Sequence, residues 1–459
     1  FFVVKGAWVA IRPFISGMQA ELAAQPVMAD ENALGKAEAA MRKVAAKGLR
    51  VIAIAYRVLA EGDYTDAKQE DLEYDLILAG FVGIEDPIRK EVSPAVKKCQ
   101  DAGIDVIMIT GDHPDTALAI AQRSGIVVDG QNMARVLTGD ILEQFTQEQL
   151  IEALGKRVSI FARTTPEQKM KIVAALKAMD KVVAMTGDGV NDAPALKAAD
   201  VGVAMGKKGT DVARESAQIV LLDDNFASIV AGVEEGRAIF SNIKKFTNYV
   251  LVSNGPEILP YLIYILLPVP LALTVIQILS IDLGTDIIPS MGLGQEPPDP
   301  DEMRRPPRDR SEGLLTRPLI MHSYLFLGLL EALWSIFLFF LVLVKGGWEY
   351  AQELASNNAL YRSATGIALS TILLMQIGNL IGRRFVYRSG LDMGIFKNKL
   401  IFLGIIIQII FSWVVLYFPP AQKVLATGPV PIEIYLLAWL GIPLIFGLDF
   451  IRKKLVQRG

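Results

Sequence analysis

The chain has 459 residues, one cysteine, two histidines and a net charge of −3. It is long enough for two or three domains, and it holds no internal disulfide framework, no cysteine-pair metal site and little means for soft-metal chemistry. The near-neutral balance, with no basic stripe interleaved with aromatics, excludes a nucleic-acid partner.

Residues 1 to about 235 read as soluble, with strand-like runs such as "VIAIAY", "DVIMIT" and "KVVAMT". The chain opens on "FFVVKGA" as if in mid-strand, so it is expected to be a piece of something longer. From Leu76 to about Asp223, strand-like and helix-like runs alternate, which predicts a doubly wound parallel α/β sheet. Chemistry in such folds gathers where loops leave the C-terminal ends of strands. Three loops fit. "VIMITGDHPDTALAIA" ends a strand in Thr110, Gly111 and Asp112, and "VSIFARTTPEQKMKIV" leads into a helix whose early Lys169 reaches back to the strand end. "KVVAMTGDGVNDAPALKAA" ends a strand in Asp188, Gly189, Asn191 and Asp192.

A hydroxyl, a lysine and clustered carboxylates at one point are what an aspartyl-phosphate site requires. Thr110 would donate to a phosphoryl oxygen, Lys169 would neutralise its charge, and Asp188 would hold Mg²⁺, a hard cation that prefers carboxylate and water. A single strand ending in "GD" is more often a turn with a helix cap. Three such loops in this order leave that bland reading little room.

From about residue 246 the apolar stretches reach the length of about 20 residues that a helix needs to cross a bilayer. They lie at roughly 246–267, 270–294, 320–344, 361–382, 400–418 and 432–450, which predicts six spans. Arg304, Arg305, Arg308 and Arg310 follow the second, Arg383, Arg384 and Arg388 the fourth, and Arg452, Lys453 and Lys454 the sixth. Positive residues stay on the cytoplasmic side, so the soluble half and the C-terminal end are both expected there.

Glu257, Asp282 and Asp286 lie inside these runs. Ionised side chains cost about 2.5–3.5 kcal/mol each at the centre of a span, on the order of 8–10 kcal/mol together. On one continuous helix Asp282 and Asp286 are four residues apart with Thr285 between, which predicts a shared face. Ser253, Asn254 and Glu257 stack similarly in the preceding span. Pro256, Pro260 and Pro289 would free the carbonyls of Val252, Pro256 and Thr285. Broken helices are tolerated in a membrane where exposed carbonyls line a cavity. The result is an all-oxygen site for a hard cation such as Na⁺, K⁺ or Ca²⁺. The alternative is a polar network that only locks two helices together.

"MTGDGVNDAPALKAADVGVAMG" resembles the hinge signature of the P-type ATPases, and "GIEDPIR", "MITGDHPDTA" and "FARTTPEQK" match other blocks of that family in order. The resemblance covers nearly the whole chain. It implies a haloacid-dehalogenase-like phosphorylation domain at 76–228, the C-terminal part of a nucleotide-binding domain at 1–75, and a membrane domain of six helices at 229–459. It also implies that Asp188 ligates Mg²⁺, that Asn191 and Asp192 support phosphoryl group and metal, and that Thr110, Gly111 and Lys169, with Asp112, serve the phosphoryl group. Lys5, Gly6 and Arg50 are similar to residues that contact ATP. In the membrane, Ser253, Asn254, Glu257, Asp282, Thr285, Asp286 and Gln376 are implied ligands of the transported cation.

The family's "DKTGT" and "TGES" do not occur here, nor do its first four spans. The chain thus resembles the C-terminal half of a pump. Without the aspartate that takes the phosphate it is expected not to turn over ATP alone. "SNGPEILP" and "SIDLGTD" look more like the sodium/potassium branch than the calcium branch, and Ser253 stands where proton/potassium pumps carry lysine. Asn379 and Gln408 replace acidic residues of sodium pumps, while "DPDEMRRPPR" is shared with calcium pumps. The expected protein is therefore a plasma-membrane cation pump, Na⁺/K⁺-like by preference and Ca²⁺-transporting as the alternative. Coupling is expected along "NFASIVAGVEEGRAIFSNIKKF" into the first span. A membrane-anchored phosphatase would need no intramembrane acids, and this chain has these three; a non-catalytic regulatory module is favoured only by the missing nucleophile. Stoichiometry and any accessory subunit are not encoded in these motifs.

Overall fold

A computed structural model describes residues 1–456 apart from 20–24, 46–48, 61, 63, 65–66, 69–71, 85–86, 128–134, 387 and 393. It divides into two units, Phe1–Gly232 with Met303–Pro307, and Val233–Glu302 with Arg308–Gly459.

In the first unit, strands β1 (Phe2–Gly6), β2 (Ile15–Met18), β3 (Val27–Met28), β4 (Arg50–Arg57) and β5 (Leu76–Ile84) form one sheet in the order β1-β4-β5-β2-β3. The expected "VIAIAY" strand is β4, antiparallel to both neighbours. The helix Glu31–Ala45 buries Leu34 and Ala37 in a cluster with Trp8, Ile11, Ala53 and Leu76. Residues 76–84, placed at the start of the phosphorylation domain by sequence, are therefore hydrogen-bonded into this first sheet.

The remaining strands are parallel, as the alternating pattern predicts, but they form two sheets instead of one. Strands β6 (Met108–Ile109), β7 (Val136–Thr138) and β8 (Ile160–Ala162) run in the order β6-β8-β7; β9 (Ala184–Gly187), β10 (Val201–Met205) and β11 (Ile219–Leu221) run in the order β11-β10-β9. The reason is that β6 and β9 are each the outer strand of their own sheet and do not pair with each other. Ile109 and Leu176 pack against the apolar clusters of both sheets.

Local sequence explains where the intervening helices start. Thr165 and Gln168 form a reciprocal capping box at the head of Pro166–Ala178, with Pro166 pre-set for the first helical position. His113 caps Pro114–Ser124, which ends on Gly125 at φ 84°, a left-handed conformation that glycine adopts without penalty.

In the second unit, five helices among the described residues are long and apolar enough to cross a membrane: Phe226–Leu266, Arg317–Lys345, Ala359–Arg383, Lys399–Tyr417 and Ile432–Leu455. The protein is a multi-pass membrane protein. Ala359–Arg383 is the central helix, with every residue from Ala364 to Leu380 buried, and an apolar core of Leu338, Phe339, Ile372 and Leu373 surrounds it. Pro256 and Pro260 lie inside Phe226–Leu266 without ending it.

The expected second span departs from prediction. It is two short helices, Val275–Asp282 and Ile287–Gly294, with a break at 283–286. The Ile281 carbonyl accepts from both Thr285 N–H and Asp286 N–H at 3.0 Å, so the hydrogen-bond ladder slips by one residue. Pro289 then sits in the first turn of the second short helix, where a missing N–H costs nothing.

Candidate functional site

In the first unit, the loops after β6 and β9 each build a local cluster. After β9, Gly187 allows the turn to fold back on itself: a Cβ there would lie 2.4 Å from the Cβ of Asp192. Buried Asp192 is thereby held under the loop. One of its oxygens accepts from Lys169 Nζ at 2.6 Å, and the other from the backbone N–H groups of Asp188 (3.2 Å) and Gly189 (3.1 Å). Burial pushes the Asp192 carboxyl up, but the Lys169 and backbone hydrogen bonds outweigh it and hold the pKa below its ordinary value of 3.8.

Both oxygens of Asp192 are thus occupied. The Asp188 side chain is exposed, and its carboxylate makes no hydrogen bond among the described residues, while its carbonyl accepts from Thr210 N–H at 2.9 Å. Of the two, Asp188 has the free hard-oxygen donors that Mg²⁺ prefers, and Asp192 is the residue that orients the loop and Lys169. Asn191 is exposed.

A depressed carboxyl pKa contributes stability above the ordinary value and loses it as pH falls through the folded one. Asp192→Asn is therefore expected to lower stability from pH 5 to 8 and to leave the difference from wild type shrinking below about pH 4. Thermal unfolding of both proteins across that range checks it.

After β6, the Thr110 hydroxyl donates to Asp112 at 3.1 Å and accepts from the Asp112 N–H at 3.1 Å. Backbone bonds from Arg163 N–H to the Asp112 carbonyl and from Thr164 N–H to the Thr110 carbonyl, both 3.2 Å, tie this loop to the end of β8. Gly111 and Asp112 are exposed. No hydrogen bond or ion pair joins the Thr110 cluster to the Lys169 cluster among the described residues. Lys5 is exposed and Gly6 half-buried on β1, where they pair with Ile54 and Ala53 of β4. Arg50 opens β4, and its side chain, like Glu85 and Asp86 of "GIEDPIR", lies outside the described residues.

In the membrane unit, Asp286 is buried, and one of its oxygens accepts from the Tyr249 hydroxyl at 3.1 Å while the other has no hydrogen-bond partner among the described residues. Tyr249 in turn accepts from Gln408 Nε2 at 2.8 Å. Glu257 is also buried with one oxygen unpartnered, and Ser253, fully buried, donates to the Val250 carbonyl at 2.8 Å. Thr285 donates to the Ile281 carbonyl at 3.0 Å, and Asn254 turns toward the Tyr324 hydroxyl at 3.4 Å.

Across the break in the second span, Asp286 is buried and Asp282, the last residue of its short helix, is half-buried. Gln376 is carried to Glu331, donating from Nε2 at 3.1 Å. Among the described residues no group of three or more His, Cys, Asp or Glu side chains is placed to hold a metal ion by itself. A cation here would need hydroxyl, amide and carbonyl oxygens as well as carboxylate.

Three features escape a reading of the sequence. Glu331 is a fourth acid inside an apolar run, "LGLLEALWS", and the length rule that finds the other three would find it too. Tyr249 carries no sequence signal beyond its place one turn before Ser253. Asp449 joins His322, Arg383, Arg452 and Lys453 in one network, assembled from three membrane helices.

A family model for the C-terminus of cation-transporting ATPases matches residues 270–455, and one for haloacid dehalogenase-like hydrolases matches residues 2–200. The chain is 39% identical over 463 residues to the human potassium-transporting ATPase alpha chain 2, an alignment covering 89% of this chain and 45% of that one. It is 40% identical over 392 residues to a calcium-transporting ATPase of Bacillus subtilis, covering 85% and 42% respectively. It is 36% identical over 439 residues to the sodium/potassium-transporting ATPase subunit alpha-2 of Gallus gallus, covering 84% and 42%. The chain spans about half the length of the curated relatives it matches. Relatives named for potassium, calcium and sodium/potassium transport each match 84–89% of this chain, and the chain belongs to their family, the P-type cation-transporting ATPases.

Proposed function

We propose that these residues form part of an ATP-driven cation pump of the plasma membrane, in which phosphoryl transfer to an aspartate powers movement of a cation past Asp286. The observation that carries this is the pair of buried carboxylates, Glu257 and Asp286, each with an unpartnered oxygen, at a place where a membrane span is broken. Uncompensated carboxylates are too costly to keep in a bundle for packing alone, and a broken span supplies carbonyl oxygens beside them.

In the soluble unit, Lys169 would balance charge on a phosphoryl group while Thr110 and Gly111 position its oxygens. Asp188 would hold Mg²⁺, which when bound neutralises phosphate charge. Asp192 keeps Lys169 in place. Lys5, Gly6 and Arg50 are the candidate contacts to ATP, and the soluble loops face the cytoplasm. The helix Phe226–Leu266 carries residues of both units without interruption, and it is the candidate connection between the two chemistries.

Na⁺/K⁺-like transport is favoured by Asp282, a carboxylate where calcium pumps of the reticulum type resemble this chain with an amide. Ca²⁺ transport is the second reading, supported by the 40% identity to a calcium-transporting relative. The 459 residues alone are expected to hydrolyse no ATP, since they contain no "DKTGT". In the full-length protein, ATPase activity titrated with Na⁺, K⁺ and Ca²⁺ identifies the ion. Asp286→Asn is expected to abolish cation-stimulated turnover, and Asp282→Asn to weaken the response to the transported ion by roughly tenfold or more. An unchanged response in both variants sinks the assignment.

A further inference from the structure

We propose that Glu296 is a two-position latch: Arg384 holds it in this structure, and Lys245 takes it over when the helix Phe226–Leu266 moves, so that the half-span headed by Asp286 follows that helix. This rests on the reading of the chain as part of a cation pump and adds positioning residues to it.

Glu296, Arg384 and Lys245 are buried charges that the phosphoryl and cation sites leave unused. Glu296 lies just beyond the second short helix Ile287–Gly294, whose N-cap is Asp286. Its Oε1 accepts from Arg384 Nε at 2.8 Å and from Asn398 Nδ2 at 3.2 Å. A guanidinium that faces a carboxylate squarely grips both oxygens. Arg384 does not, because its Nη1 donates instead to the carbonyls of Gly390 at 2.8 Å and Gly394 at 3.2 Å. Glu296 Oε2 is left buried with no hydrogen-bond partner among the described residues. An open buried carboxylate oxygen is costly, and a pair that served only to staple two segments would close it.

The second cation stands one side chain away. Asn242 Nδ2 donates to the Glu296 carbonyl at 2.6 Å, while Asn242 Oδ1 accepts from Lys245 Nζ at 2.9 Å. One amide thus separates the Lys245 ammonium from the Glu296 main chain. The Lys245 ammonium and the Arg384 guanidinium also lie 5.8 Å and 5.7 Å from the centre of the same ring, Phe385. Lys245 belongs to the helix Phe226–Leu266, and Arg384 caps the end of Ala359–Arg383. A compact ammonium on a flexible stem suits a transfer to Oε2.

The half-span is built to move as a piece. It is separated from Val275–Asp282 by the break at 283–286. Asn398 Nδ2 donates to the Gly292 carbonyl at 2.8 Å, and a Cβ on Gly292 would lie 2.8 Å from Ile401 Cγ1, so the short helix is seated against the start of Lys399–Tyr417. Packed contacts of this kind switch between discrete arrangements and do not stretch, which is what a latch needs.

The test uses the full-length protein. Lys245→Gln keeps a donor for Asn242 and removes the charge. It is expected to leave Tm near that of wild type, to lower kcat for cation-stimulated ATP hydrolysis by roughly tenfold, and to leave the half-saturating cation concentration unchanged. Lys245→Arg is expected to recover kcat. Glu296→Gln combined with Lys245→Gln should be no slower than the slower single variant, because both remove the same contact. Wild-type kcat in Lys245→Gln, or losses that multiply in the double variant, overturn the latch. So does a fall in Tm with kcat per folded molecule unchanged, the result for a lysine that serves structure alone. If Glu296→Gln does not fold, the two Lys245 variants still decide, since failure of Lys245→Arg to recover kcat overturns the proposal. If Asp286→Asn abolishes cation-stimulated turnover while Lys245→Gln does not slow it, only the latch fails; if wild type shows no cation-stimulated turnover, the cation path fails with it.

Discussion

Lys169→Met is expected to cost about 3 kcal/mol of stability and nearly all phosphoryl transfer. The Lys169–Asp192 pair is 2.6 Å long with side chains 17% and 10% exposed, and removing one partner of a buried pair leaves the other charge desolvated, typically at about 3–5 kcal/mol. The residual exposure places this pair at the lower end. For a domain of this size that is a fall in Tm of roughly 6–12 °C. Asp192 would keep its two backbone N–H donors, so the loop after β9 is expected to stay folded while losing its grip on the helix Pro166–Ala178. In the full-length protein, phosphoenzyme formation should drop by about 10²–10³-fold, the usual effect of deleting one group that stabilises transition-state charge. Lys169→Met combined with Asp192→Asn should cost less stability than the sum of the two, because the double variant strands no charge. Additive losses would mean that the pair is not coupled.

Asp449→Asn is expected to be more disruptive still, and in the opposite sense to Glu331→Gln. Asp449 is buried and lies within 3.3 Å of His322 Nε2, 3.2 Å of Lys453 Nζ and 3.0 Å of Arg452, and it pairs closely with Arg383. Lys453 also donates to the Phe385 carbonyl at 2.8 Å and to the Gly382 carbonyl, while Arg383 donates to Asn248 at 3.2 Å. One negative charge thus holds three cations and joins the ends of four membrane helices. Neutralising it leaves Arg383 and Lys453 buried with no counter-charge, a loss of about 3–5 kcal/mol. The purified variant should run as aggregate on size exclusion where wild type is monodisperse. At Glu331 the same carboxylate-to-amide change removes a buried charge that has no counter-charge among the described residues, so the protein should be at least as stable as wild type in the absence of cations. Equal behaviour of the two variants would mean that the surrounding charges do not decide stability at either site.

The clearest local signals survive in the structure. Thr165 and Gln168 announce the start of a helix, and they form its capping box. Alternating strand-like and helix-like runs announce parallel strands, and Thr110 and Asp188 follow the C-terminal ends of two of them. Apolar runs announce membrane helices, five of which are continuous. Each of these depends on residues within a few positions of one another, where hydrogen-bond geometry and burial are set by the local chain.

What the sequence did not reveal depends on segments that meet only after packing. That Lys169 meets the loop after β9 is expected from the sequence, but not that Asp192 is its partner there; Glu331 and Gln376 are 45 residues apart, and no spacing rule brings such a pair together. The strands β6 and β9 read as members of one sheet because each has the right local pattern, yet pairing is decided by which strand lies alongside. The span around Asp282 and Asp286 is the sharpest case. Its composition predicts one continuous helix, whereas the structure breaks it at 283–286, with Asp286 buried and Asp282 half-buried. By itself the sequence determined which groups are present and where most of the helices, strands and spans lie. Only the tertiary structure decided which charges are paired and which are left open, because pairing is a property of the side chains that packing brings within about 3 Å of each other.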